Sequence, residues 1–178
     1  MLEIGRFHAA IVECHAGAAA LDALRIPADV HACRVAPDEL LLLAAPARAA
    51  ELLQRASAHL AVVEPGALVA DQSDGWTIFS LAGDGGMSAL AQLAQFPIRE
   101  RRPAFLQGAV AGGAAKLLLL PGVVHILVPF ALRDHVEGRL RDVCAARPFR
   151  LATSESPFAP IFEVAAGSPT GPSSGFPT

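Results

Sequence analysis

Apolar residues recur along the chain with two different periods, and the change from one to the other marks out the elements. In residues 76–82, WTIFSLA, Trp76, Ile78 and Ser80 alternate with Thr77, Phe79 and Leu81. The run is β-branched and aromatic, which predicts a strand partly buried on both faces. After Gly83, Asp84, Gly85 and Gly86 the period lengthens. Met87, Leu90, Leu93 and Ala94 fall on one helical face, predicting a helix over 84–95 with Asp84 as its N-cap. Before the strand, Leu68 and Val69 are followed by Asp71, Ser73, Asp74 and Gly75, which is turn chemistry, and an Asp-Gly pair between apolar runs predicts a hairpin.

The same reading extends along the rest of the chain. Strands are expected at 6–14, 30–36, 38–44, 59–64, 104–111, 115–120 and 123–128. Helices are expected at 16–26, stopped by Pro27, at 46–58, with Pro46 in its first turn, and at 130–145. In the last, Leu132, Val136, Leu140 and Val143 line one face.

These elements fall into two copies of a β-α-β-β-α unit, at about 5–64 and 67–146, within one domain spanning 1–148. HAGAAALDALRIP in the first copy lies over AGDGGMSALAQLAQFP in the second. The fold class predicted is therefore α+β, built from two duplicated ferredoxin-like halves. Residues 149–178 differ, being rich in Pro, Gly, Ser and Thr. By composition they form an extended C-terminal tail. Aromatic and aliphatic residues nonetheless recur in it, and Phe149, Phe158, Ile161, Phe162 and Phe176 are the expected contacts to a partner subunit.

Composition narrows the function classes. Of 178 residues, 53% are hydrophobic and only 17% charged, below the usual quarter, which suggests a surface covered by something else. The net charge of −3 gives no electrostatic case for nucleic acid or an anionic membrane. No apolar run reaches the ~18 residues of a membrane span. MLEIGRFHAA has no basic start followed by an apolar core, so a cytoplasmic protein is expected. Three scattered cysteines, Cys14, Cys33 and Cys144, read as reduced buried thiols.

Candidate chemistry is sparse. Cys14-His15 and His31-x-Cys33 come nearest to a metal set, His31 and Cys33 sharing a strand face that could meet Cys14 across a strand pair. Small core thiols are the commoner reading, and no metal site is assigned. Neither Ser80 nor Ser88 lies in a G-x-S-x-G elbow. The Gly83-x-Gly85-Gly86 cluster lacks the third glycine of a phosphate cradle and reads as a capped turn. Gly112-Gly113 reads as a hairpin turn, and Arg99, Arg101 and Arg102 as a solvated loop. No catalytic or cofactor-binding residue is assigned.

Three segments carry a family resemblance. Asp71-Gln72-Ser73-Asp74-Gly75, the strand after it and Leu81-Ala82-Gly83-Asp84-Gly85 resemble the D-x-S-D-x…L-x-G signature of the gamma subunit of heterotetrameric sarcosine oxidase. Val35-Ala36-Pro37-Asp38-Glu39-Leu40-Leu41-Leu42-Leu43-Ala44 is similar to that family's L-G-P-D-E-W-L-L-L segment, and Val128-Pro129-Phe130 to its V-P-x-S-F step. The segments span about 30–145 in the expected order. The resemblance implies a fold like the N-terminal part of aminomethyltransferase, in the folate-binding-fold superfamily. It implies a non-catalytic subunit beside alpha and beta subunits, and a delta subunit, in a complex that oxidatively demethylates a secondary amine such as sarcosine. FAD, FMN, NAD and zinc would then belong to the partners, with tetrahydrofolate possible in the complex. Two other readings stay open: a free-standing aminomethyltransferase-like protein using tetrahydrofolate, and an accessory subunit of another amine dehydrogenase acting on N-methylglutamate or a proline-like amine.

Overall fold

A computed structural model describes residues 1–98, 102–145 and 149–152. Its elements in order are β1 (Leu2–Phe7), β2 (Ala10–His15), α1 (Ala18–Asp22), β3 (His31–Ala36), β4 (Glu39–Ala44), α2 (Ala49–Val63), β5 (Leu68–Asp71), β6 (Trp76–Ala82), α3 (Gly86–Leu93), β7 (Ala104–Val110), β8 (Gly113–Leu120), β9 (Val123–Pro129), α4 (Arg133–Cys144) and β10 (Phe149–Ala152). The architecture is α+β, as expected.

The strands form two sheets, one of four strands ordered β3-β4-β2-β5 and one of six ordered β10-β1-β6-β9-β8-β7. The smaller sheet and its helices run β2-α1-β3-β4-α2-β5, a complete ferredoxin-like unit. The larger sheet repeats that order through β6-α3-β8-β9-α4, with β7 added as a hairpin arm. Its closing strand comes from elsewhere: β1 lies antiparallel to β6, where β5 lies against β2, and β10 runs parallel outside β1. The sheets therefore do not follow the sequence halves read at 5–64 and 67–146. Leu2–Phe7 belongs to the second sheet and Leu68–Asp71 to the first.

This exchange explains two differences from the sequence reading. Residues 6–14 look like one strand but are two, because the chain passes from one sheet to the other between Phe7 and Ala10. The turn at Asp71–Gly75 is real, yet β5 and β6 do not pair as a hairpin; each pairs with one part of β1–β2. A third difference is local. The strand expected at 59–64 is the last turn of α2, because Leu52, Ala56 and Leu60 continue the helical period to its end.

Packing gives four layers, helices on the outside and the sheets face to face. The larger sheet buries Phe79, Leu117, Leu119 and Ile126 against α3 and α4. The smaller buries Val12, Leu40 and Leu42 against α1 and α2. Between the sheets, Ile11, Cys33, Leu41 and Leu43 meet Ile78, Leu118 and Leu127. This accounts for the unbroken Leu40–Leu43 run: β4 is covered on both faces and alternates between two cores. Each such leucine contributes roughly 1.5–3 kcal/mol by burial. No described helix is long and apolar enough to cross a membrane.

The β7–β8 turn sits one residue earlier than expected. Ala111 and Gly112 occupy it, at φ 53° and 85°, and Gly113 already pairs with Val110. A two-residue hairpin turn with both φ positive suits Asn-Gly or Gly-Gly, and Ala111 is strained there. Its backbone is held on both sides, Ala111 N–H donating to Leu93 O and His135 Nε2–H to Ala111 O. Ala111→Gly keeps both bonds and relieves the strain. It is expected to stabilise the protein by about 0.5–1 kcal/mol, read as a rise in urea midpoint at unchanged slope.

Candidate functional site

The fold separates Cys14 from the face that carries His31 and Cys33. Cys14 faces the helices and Cys33 faces the other sheet, so they sit on opposite sides of the smaller sheet. Burial, with Glu13 adding to it, pushes the Cys14 thiol up to about 11, and burial pushes Cys33 to about 12. His15 lies outside, 3.2 Å from Glu13. No group of three or more His, Cys, Asp or Glu side chains among the described residues converges on a metal position.

The glycine cluster is a turn, but Asp84 does not cap it. The N-cap of α3 is Gly85, at φ 93°, while Asp84 is exposed and lies 3.7 Å from the Met1 amine. Asp71 has a fixed role: its carboxylate accepts from the Ser73 amide at 2.9 Å and from the Ser73 hydroxyl at 2.5 Å. Ser73 Oγ in turn accepts from the Ile11 amide at 3.0 Å. The D-x-S step thus ties the β5–β6 passage to the start of β2, where both cross between sheets.

The seam between the sheets holds a polar group at each end. At one end Ser80 and His125 face each other across β6 and β9, with Oγ 2.6 Å from Nδ1. Ser80 is 5% exposed and His125 2%. His31, on β3 of the opposite sheet, acts on His125 electrostatically. Burial first, and His31 second, hold the His125 pKa down at about 4. Gly5 completes the row beside Ser80. A Cβ there would come within 2.2 Å of the Phe7 ring, which folds back over it. A serine–histidine pair serves as nucleophile and base only where substrate reaches it. Here both are shut between two sheets, and a histidine that protonates near pH 4 is a weak base. The pair is a structural hydrogen bond that satisfies two buried polar groups.

At the other end Lys116 lies 3.0 Å from Gln107 Oε1, 3.8 Å from Glu39 and 5.6 Å from the Trp76 ring centre. Gln107 Nε2 donates to Val35 O at 2.8 Å. These contacts join the β7–β8 hairpin to the smaller sheet and leave a shallow cleft of about 340 Å³ beside Trp76, floored by Ala109, Gly113 and Ala114. Its charged group is already engaged by Glu39, and the cleft presents small side chains and one indole.

Of the residues assigned to partner contact, Phe149 lies on β10 and packs, half-buried, against the core beneath α3 and α4. Phe158, Ile161, Phe162 and Phe176 lie outside the described residues, as do Arg99 and Arg101. The Ser80–His125 pair was not foreseen, since 45 positions separate the two. The signal available was a polar residue at an inward position in each of two strongly apolar strands.

No protein-family model matches the chain, and the comparison with curated proteins gives no match. Solved structures do. A chain of heterotetrameric sarcosine oxidase from Corynebacterium sp. U-96, in complex with pyrrole 2-carboxylate, superposes with a TM-score of 0.70 at 18% identity, over 82% of this chain and 84% of that one. The glycine cleavage system aminomethyltransferase T from Bartonella henselae superposes with a TM-score of 0.62 at 13% identity, over 84% of this chain. That match takes in 47% of the aminomethyltransferase, so this chain corresponds to about half of it. At these identities the likeness speaks to architecture, and the architecture is of the sarcosine oxidase and aminomethyltransferase type.

Proposed function

We propose that this chain is a non-catalytic subunit of a multi-subunit, flavin-dependent complex that oxidatively demethylates a secondary amine of the sarcosine kind. The observation that carries the reading is the superposition on a sarcosine oxidase chain over most of both chains, 82% and 84%. The D-x-S-D step supports it, because Asp71 and Ser73 hold the place where the chain passes between sheets. The sealed Ser80–His125 pair fits a scaffold rather than a reaction centre. On this reading FAD, FMN, NAD and zinc are held by alpha, beta and delta partners.

The test is to purify the tagged chain from its native host and read flavin absorbance on the eluate. Co-elution of larger flavin-bearing subunits, with sarcosine-dependent oxidation, is the expected result. The aminomethyltransferase likeness favours one rival, a free-standing tetrahydrofolate-binding protein. That rival predicts binding of tetrahydrofolate by the isolated chain in calorimetry, together with an eluate lacking flavin.

A further inference from the structure

We draw no further inference here: the strongest candidate, the shallow cleft beside Trp76 at the β7–β8 hairpin, has its Lys116 ammonium already engaged by Gln107 and Glu39, and nothing in the structure shows what covers it.

Discussion

Replacing Phe79 with alanine is expected to lower stability by about 3–5 kcal/mol, a large part of the ~5–15 kcal/mol that holds a domain of this size together. Phe79 is 1% exposed on β6, between Arg6 of β1 and Ile126 of β9, and belongs to the core beneath α3 and α4. β1 reaches this sheet from the far end of the sequence, and β6 is the strand that receives it. Truncation at Phe79 therefore removes packing where the chain-end strand joins, and neighbouring strands paired on both sides collapse little into the gap. Urea unfolding followed by far-UV circular dichroism and by fluorescence of Trp76, the single tryptophan, should show the midpoint falling together in both signals. Phe130→Ala is the comparison. That ring is 47% exposed beneath the Arg133 guanidinium, 4.6 Å away, and its removal should cost less than about 1 kcal/mol. Equal losses for the two variants would contradict the core assignment.

Much of this architecture can be read from the chain because local and tertiary signals agree. Trp76–Ala82 alternates correctly between two buried faces, and Leu52, Ala56 and Leu60 run at helical spacing to the end of α2. The errors arise where they disagree. Val62 and Val63 have strand propensity but end a helix, because the period set by the three buried residues before them governs. Asp74-Gly75 has the chemistry of a hairpin, yet the strands it joins lie in different sheets. No local pattern reports that Leu2–Phe7 completes a sheet whose next strand starts at Trp76, since the pairing is a long-range event decided by which edge is left open. The seam is hidden for a similar reason. Ser80 and His125 look like isolated polar residues in apolar strands until registry sets them side by side. Conversely, Cys14 and Cys33 look like possible partners until the sheet places its own thickness between them.

Acid should weaken the protein through the seam before it reaches the carboxylates. His125 has a folded pKa of about 4 against an ordinary value of 6.5. Between those limits the unfolded chain binds a proton that the folded chain refuses. Stability is therefore fully present above about pH 6.5 and falls as pH drops toward 4, where both states are protonated and the loss levels off. A window of that width corresponds to about 3 kcal/mol, an order-of-magnitude figure. Glu137 acts in the same direction but lower: Arg141 and Arg6 hold its pKa below 4.5, so its contribution disappears only as pH falls beneath that value. The two windows are separable by urea midpoints at pH 7, 5 and 3.5. His125→Asn retains an oxygen or amide near Nδ1 for Ser80 but cannot take up a proton, and it should shrink the loss from pH 7 to 5 to the part left by His31, whose own pKa burial lowers, while leaving the drop below 4.5. His31→Gln removes the second cause of the depressed pKa, so His125 should titrate nearer its ordinary value and the acid sensitivity should shrink without vanishing. If His125→Asn lost stability between pH 7 and 5 as steeply as wild type, the proton would have to act elsewhere, and the seam would not be what acid opens.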